Sequence, residues 1–167
     1  DTQAYVLEFG NNYIRIYKDG GLVTAATTAI SAITKANPAV VTSNSHGMSN
    51  GDRVYITGVV GMTQVNNKEF TVAGVATNTF QLSGVNSSAY TTYSSAGTAG
   101  KIIEVTTTYT LAQLSTINFA QSADVLYLAH LSHAPAKLTR TSHTTWTLND
   151  IDFTDGPYLD ENITDTT

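Results

Sequence analysis

Short runs of β-branched and aromatic residues, each followed by a turn, recur along the whole chain. The first two runs, residues 4–9 and 13–17, flank Gly10-Asn11-Asn12. Gly and Asn readily adopt the positive φ that tight hairpins need. Short strands at roughly 8–12-residue spacing with turns between them are typical of small barrels and sandwiches. The sequence therefore predicts a mainly β fold that begins with a β-meander.

The same pattern continues through the middle and the end of the chain. Residues 87–100 are predicted as a loop and residues 141–144 as a hairpin turn. The run at residues 123–129 is largely apolar, which favours a central strand. All further strands are predicted at residues 22–23, 39–42, 53–57, 69–73, 79–82, 101–106, 123–129, 136–140 and 145–148.

Two segments depart from the strand pattern. Residues 25–36 are rich in Ala and Thr with weak periodicity, so a helix and an extended linker both stay open. Residues 110–114 are predicted as the one short helix of the fold, with Thr110 as its N-cap. The apolar face of this helix would consist of Leu111, Leu114 and Ile117.

The order of these segments indicates one domain inserted into another. Residues 1–33 and 101–167 are predicted to form an outer unit, a β-meander similar to a propeller blade. Residues 34–100 are predicted to form an inserted small β-barrel or sandwich. Asn37-Pro38 marks one junction and the Ser- and Gly-rich loop marks the other. Insertion is tolerated where the two ends of a loop lie close together.

Charge and composition exclude several classes of function. The formal net charge is −5, and the eight Lys and Arg residues form no basic run, so no nucleic-acid partner is expected. The chain has no cysteine, which removes disulfides, thiolate metal sites and thiol nucleophiles. No apolar stretch approaches the ~18–20 residues of a transmembrane helix, so no membrane insertion is expected. Both ends of the sequence are abrupt, and we expect a fragment of a longer protein.

Four histidines are candidate metal ligands: His46, His130, His133 and His143. His130 and His133 form the closest pair, but residues three apart on a strand point to opposite faces. We expect this pair where a strand ends in a loop. With no cysteine as a further ligand, we predict no metal site. His46-Gly47 fits a turn, which predicts a structural role for His46.

Carboxylates near the end of the chain form a second candidate cluster. Asp150, Asp152 and Asp155 lack the glycine and the closing Glu of an EF-hand loop. Asp155-Gly156-Pro157 is typical of a turn, with the other carboxylates in solvent. We therefore predict neither a calcium site nor a catalytic carboxylate pair.

A catalytic triad is a third candidate, because Ser45, His46 and Asp52 supply its residue types. Gly47-Met48-Ser49-Asn50-Gly51 has the Gly-x-Ser-x-Gly spacing of a nucleophile elbow, but an elbow joins a strand to a helix, and this segment lies in a turn-rich loop before the strand at residues 53–57. Ser, His and Asp occur together in any Ser-rich sequence. The sequence predicts no catalytic residue, no metal and no cofactor, and hence a protein that is not an enzyme.

Aromatic residues give the candidate binding surface. Tyr90 and Tyr93 lie in the Ser-, Thr- and Gly-rich loop, a composition that suits adaptable binding loops, so they are the candidate contact for a saccharide or a protein. The favoured interpretation of this segment is a plain flexible loop. Trp146 alternates with Leu148, which favours packing in the core over stacking on a ligand.

An ordered set of motifs in the middle of the chain resembles a known β-domain. These motifs are Asn37-Pro38-Ala39-Val40-Val41-Thr42, residues 46–54, Gly61-Met62, Asn66-Asn67, Phe70-Thr71-Val72 and Thr79-Phe80-Gln81-Leu82. Over about residues 36–103 they resemble the first catalytic-cysteine half-domain (FCCH) of ubiquitin-activating enzymes. Many bacteriophage structural proteins carry similar modules.

That resemblance implies a scaffold and not an activity. The chemistry of those enzymes forms a thioester on a cysteine, and this chain has none. It also needs a nucleotide site, and the sequence has no P-loop or Rossmann glycine pattern. A shared fold does not carry a function with it.

The flanking segments resemble phage proteins as well. Residues 5–15 and 119–130 are similar to parts of tail-associated virion proteins, and the similarity continues over residues 135–140 and Trp146. Such proteins are typically longer than this chain and form β-propeller-like blades. The resemblance implies a component of a phage tail or tail adaptor, or its prophage-encoded copy, and it assigns no functional residue.

The sequence thus predicts a non-catalytic structural component of a phage or prophage virion that acts through protein–protein assembly. Its expected partners are other virion proteins and further copies of the chain. Its expected location is the phage tail, after synthesis in the cytoplasm of the bacterial host. The alternative is a carbohydrate- or receptor-binding module displayed on the virion, with a glycan as its partner.

Overall fold

The computed structural model describes residues 4–153 and confirms the mainly β fold. Within those residues, strands that pair antiparallel form three sheets, and two 3₁₀ helices lie at Thr63–Val65 and Leu111–Thr116. None of the helices in this part of the chain is long and apolar enough to cross a membrane. The strands are β1 (Val6–Gly10), β2 (Tyr13–Lys18), β3 (Gly21–Leu22), β4 (Thr28–Ala29), β5 (Ala32–Ile33), β6 (Ala39–Thr42), β7 (Arg53–Thr57), β8 (Lys68–Ala73), β9 (Thr79–Leu82), β10 (Thr98–Lys101), β11 (Glu104–Thr106), β12 (Asn118–Ser122), β13 (Val125–His130), β14 (His133–Arg140) and β15 (Trp146–Asp150).

The first sheet contains the predicted opening hairpin. Gly10 pairs with Tyr13, and Asn12 takes a φ of 66°, which the two-residue turn requires. The order of this sheet is β1-β2-β11, and β3 pairs with the end of β2 on the edge opposite β1. The outer unit therefore starts as the meander that the sequence predicted.

The second sheet has seven strands in the order β4-β10-β7-β8-β9-β6-β5. Its two edge strands, β4 and β5, are separated along the chain by Ile30 and Ser31 alone. The Ile30 N–H donates to Gly97 O beside one edge, and the Ser31 N–H donates to Thr42 O beside the other, both at 2.9 Å. The sheet must therefore curl around its own core, as a nearly closed barrel does.

The third sheet is the up-and-down meander β12-β13-β14-β15. The predicted hairpin turn at residues 141–144 is confirmed, since the Thr141 N–H donates to Thr145 O at 3.0 Å. The apolar run at residues 123–129 forms β13, which is an internal strand as expected. This four-stranded antiparallel order is that of a propeller blade.

Two hydrophobic cores hold the sheets. The first fills the curled seven-stranded sheet, and Phe80 is its largest fully buried side chain. The second lies between the first and third sheets, where Ile14 and Ile16 of β2 meet Leu128 of β13 and Leu138 of β14. Burying side chains of this size contributes about 1.5–3 kcal/mol each.

The chain passes between the two cores at one place, where both crossings lie side by side. Thr24 forms an isolated antiparallel bridge with Ile102. The Ile103 N–H donates to Val23 O at 3.0 Å, and the Ala25 N–H donates to Lys101 O at 2.8 Å. We call these two paired segments, residues 23–25 and 101–103, the stem.

Several local predictions are corrected. The predicted strand at residues 101–106 is divided between β10 and β11, because the chain changes sheet at the stem. β10 begins at Thr98, inside the predicted loop. Residues 25–36 are extended and form β4 and β5, which excludes the helix alternative. Since β4 and β5 pair in the seven-stranded sheet, that sheet begins before the predicted boundary at residue 34.

The predicted short helix forms, as a 3₁₀ helix after Thr110. The Gln113 side-chain oxygen accepts from the Thr110 N–H at 2.9 Å, which caps the start of the helix. Its predicted apolar face is wrong in one member. Leu114 and Ile117 pack against the second core, whereas the side chain of Leu111 is 70% exposed, and the Leu111 N–H donates to Asn11 Oδ1.

Candidate functional site

The loop with Tyr90 and Tyr93 lies against the seven-stranded sheet. Both rings are half-buried on its core. The Tyr93 hydroxyl lies 2.8 Å from Ile30 O and 3.0 Å from Ala96 O, so it ties the loop to the body of the domain. The part of each ring that stays exposed is the surface available for binding, and a binding role for this loop stays a prediction.

The residue types of a triad are not brought together. His46 is buried, its Nδ1 accepts from the Met48 N–H at 3.1 Å, and its Nε2 lies 3.0 Å from Ala76 O. Asp52 Oδ2 accepts from the Ser49 N–H at 2.7 Å and pairs with Lys101 Nζ at 2.8 Å. With both ring nitrogens bound to backbone, His46 has the predicted structural role.

The histidine pair lies where a strand ends in a turn, as expected, so the argument from opposite faces of one strand does not apply to it. His130 ends β13 and His133 begins β14, so the two are directly opposite across a tight turn and their rings are 5.2 Å apart. They share a face because cross-strand partners do. Their ring nitrogens are nevertheless occupied: His133 contacts Thr108 Oγ1 and Gln113 Oε1, and His130 contacts Thr116 Oγ1 and the Ser132 N–H, all at 3.0–3.1 Å.

The remaining metal candidates are also dispersed. In residues 4–153, no three His, Cys, Asp or Glu side chains are grouped so that they could hold a metal ion. Asp150 and Asp152 are both exposed, and Asp155 lies outside the described residues. His143 Nδ1 lies 3.1 Å from the Tyr5 hydroxyl.

Trp146 packs against the second core, as predicted, but it is only half-buried. Its indole N–H donates to His143 O at 3.2 Å. Its ring meets that of Tyr5 edge to face, at 5.2 Å between centroids and 79° between planes. Trp146 therefore contributes to the protein surface as well as to the second core.

An unpredicted charge network connects the two cores. Arg15 pairs with Glu104 at 2.6 Å and with Glu69 at 3.1 Å, and Glu69 also pairs with Arg53 at 3.2 Å. Burial lowers the pKa of Arg15, but the hydrogen bond to Glu104 and the charges of both glutamates outweigh it and leave that pKa raised. The network thus holds charged side chains from both sides of the boundary between the two cores in ion pairs. None of its four side chains is left as an unpaired acid or base for catalysis.

An exposed aromatic side chain lies on β12, which is one of the two edge strands of the third sheet. All five of its residues are exposed, and among residues 4–153 its strand partner is β13 alone. Phe119 is directly opposite buried Leu128 and so points toward the core side, yet it is 74% exposed. The second core ends before it reaches β12, which leaves an aromatic side chain uncovered.

A shallow apolar depression of about 250 Å³ lies beside this strand. Its lining includes Phe119, Tyr127, Pro135 and Ile151. Leu131, at the tip of the β13–β14 turn, is fully exposed. Exposed apolar side chains at a sheet edge are candidates for a contact surface.

Comparison with known families bears on the seven-stranded sheet. Residues 36–103 match the ubiquitin-activating enzyme E1 FCCH domain. The match runs from just before β6 to the stem, which is less than half of the chain, and we call this part the FCCH-like domain. No curated protein matches the chain.

The sequence missed Phe119 and the charge network for different reasons. Ala123-Asp124 is not one of the dipeptides that mark a two-residue hairpin, so the sequence did not indicate the turn that places Phe119 in an edge strand. Glu69 and Arg15 are far apart in sequence, and no local pattern indicates that they meet.

Proposed function

We propose that this chain is a non-catalytic structural component of a bacteriophage or prophage virion, in the tail or a tail adaptor. It acts by protein–protein assembly through the β12 edge. The observation that carries the proposal is the exposure of Phe119 on an edge strand whose five residues are all exposed.

Sheet edges favour this kind of contact for a physical reason. An edge strand presents a row of unpaired N–H and C=O groups, which another strand can pair with. A strand laid beside β12 would extend the third sheet and cover Phe119 at the same time. Alternate side chains of that partner would point to the opposite face of the sheet, where the apolar depression beside Tyr127 would receive them.

The virion context is supported by resemblance. The segments that form β1, β2 and the third sheet are similar to tail-associated virion proteins, and modules like the FCCH-like domain occur in many phage structural proteins. The chain has no cysteine, so the thioester chemistry of ubiquitin-activating enzymes has no nucleophile here.

The test combines gene position with a binding experiment. We expect the gene to lie beside portal, capsid or tail genes, and the chain to form a complex with one of the proteins encoded there. Phe119→Asp should abolish that complex, measured by analytical ultracentrifugation. Leu111→Asp is the matched control, because Leu111 is similarly exposed but lies in the 3₁₀ helix.

Two outcomes would refute the proposal. One is a complex that survives Phe119→Asp, or that Leu111→Asp weakens equally. The other is turnover by the purified chain on a panel of esters and glycosides, which would show catalysis.

A further inference from the structure

We infer that the cleft between β1 and the inner face of the third sheet binds a neutral saccharide. The cleft has a volume of about 330 Å³. Pockets for small ligands begin at about 300 Å³, so this one suits one or two sugar rings. The inference is independent of the assembly role of β12, and it uses residues other than Tyr90 and Tyr93.

The floor and one wall of the cleft are apolar. Leu138 is buried on the floor, and half-buried Leu7 and Leu126 lie beside it. Tyr5 and Trp146 form the aromatic wall. Because the indole N–H of Trp146 is already bound to His143 O, the indole offers the cleft its π surface alone. Such a wall stacks on the C–H face of a sugar ring.

The polar side of the cleft carries hydrogen-bond acceptors. Asp124 Oδ1 accepts hydrogen bonds from both Nε and Nη2 of Arg140, at 3.0 and 2.5 Å. Its other oxygen, Oδ2, has no partner among the described residues. The Gln121 side-chain N–H donates to Ala123 O at 3.1 Å, which leaves the Gln121 side-chain carbonyl oxygen facing no described donor. A ligand that donates from adjacent hydroxyl groups complements these two acceptors.

Charge selects the class of saccharide. The guanidinium of Arg140 is held against Asp124 and over the Tyr5 ring, 5.1 Å from its centroid. Asp124 thus balances this positive charge, and among the described residues no second cation lines the cleft. An acidic sugar would find a carboxylate and no surplus positive charge, so the geometry favours a neutral one.

The composition of the chain supplies a direct readout. Trp146 is the single tryptophan of the sequence, so intrinsic fluorescence reports on the wall of the cleft. The experiment titrates the intact chain with methyl glycosides of glucose, galactose, mannose and N-acetylglucosamine, and with their short oligomers. We expect a saturable change in fluorescence for at least one neutral sugar, and none for glucuronic or sialic acid.

Variants then assign the binding to this cleft. Gln121→Ala removes one acceptor from an exposed strand residue and should weaken binding about 3- to 10-fold, the equivalent of one hydrogen bond. Tyr90→Ala is the control and should leave the affinity unchanged. Phe119→Asp should also leave it unchanged, which separates this site from the assembly surface.

The inference is overturned if no neutral sugar changes the fluorescence at ~10 mM, a concentration well above weak saccharide affinities. It is also overturned if the acidic sugars bind more tightly, or if Gln121→Ala has no effect on a sugar that does bind. Loss of binding in Tyr90→Ala would assign the saccharide to the other loop and contradict this site.

Discussion

Arg15 in β2 and Glu69 in β8 form an ion pair across the boundary between the two cores, with 3.1 Å between Nη1 and Oε2. Both side chains are largely shielded from solvent, at 13% and 24% exposure. Glu104, in the same sheet as Arg15, holds the guanidinium from the other side at 2.6 Å. The FCCH-like domain and the outer sheet are therefore connected by charge as well as by the covalent stem.

Replacing Arg15 with Met should loosen this connection. The substitution leaves Glu69 with Arg53 alone, and we expect a loss of about 1–2 kcal/mol, between the values for exposed and for buried ion pairs. Urea denaturation measures the loss, and small-angle X-ray scattering measures the broader spread of overall dimensions. Lys18→Met is the control, since Lys18 pairs with exposed Asp19 at 3.7 Å and should change stability by less than ~0.5 kcal/mol. An unchanged scattering profile in Arg15→Met would contradict the connecting role.

Tyr17 gives a prediction for alkaline pH. Its hydroxyl donates to Glu8 Oε2 at 2.6 Å, and this hydrogen bond, with burial and the glutamate charge, raises the pKa of Tyr17 from 10 to about 12. Because the folded pKa lies above the unfolded value, the stabilisation is complete below pH 10 and is lost as pH rises toward 12. Denaturation midpoints between pH 8 and about 12 should show this loss in the native chain.

Glu8→Gln is the matched variant for that measurement. It keeps the size of the side chain and removes the charge, so the phenol should ionise closer to its usual pH. Ultraviolet absorbance of tyrosinate during a pH titration follows this change. If the titration of Glu8→Gln superimposes on that of the native chain, the pair does not hold the proton of Tyr17.

Ser87 anchors the loop that carries Tyr90 and Tyr93. Its fully buried hydroxyl donates to Thr34 O at 2.7 Å and accepts from the Ala36 N–H at 3.0 Å. Ser87→Ala leaves buried backbone groups without partners, and we expect a loss of about 1–3 kcal/mol. Hydrogen exchange at residues 83–97 should become faster. Ser88→Ala changes an exposed neighbour and should do neither; equal effects in the two variants would show that the hydroxyl of Ser87 is not the anchor.

The stem predicts that the outer sheets fold without the FCCH-like domain. Deleting residues 26–100 and closing the gap with a two-residue turn keeps the Val23–Ile103 hydrogen bond and the whole second core. We expect a cooperative thermal transition and dispersed NMR signals from Ile14, Leu128 and Leu138. The same deletion with Ile14→Ala should lower the midpoint, because Ile→Ala costs about 2–5 kcal/mol in a core. A deletion variant without a cooperative transition would show that the second core needs the FCCH-like domain.

The sequence predicted the strands that alternation and turn residues specify. The opening hairpin at Gly10 and Tyr13 and the internal strand β13 are both of this kind. The sequence could not predict where the chain changes sheet. Ile102 continues the apolar pattern of residues 101–106, but the residues before it pair in the seven-stranded sheet and those after it pair in the first sheet. The local sequence pattern indicates where strands form, whereas pairing between distant residues decides which sheet each strand joins.

The candidate site was less predictable than the fold. Histidines at positions 130 and 133 were expected where a strand ends in a loop, but the sequence did not indicate that the turn between them makes them cross-strand neighbours. The exposure of Phe119 depends on where the second core ends, and no property of its own segment encodes that limit. Trp146 was predicted as core and proved to be both core and cleft wall.

The stem has a consequence for how such chains diversify. Because the two crossings are hydrogen-bonded neighbours, a gene segment that encodes everything between them can be gained, lost or exchanged in one recombination event. The pairing register of the first sheet stays the same on either side of the exchange. Substitution of the whole FCCH-like domain would thus change the exposed surface of the protein, while the strands of the second core keep their contacts with one another.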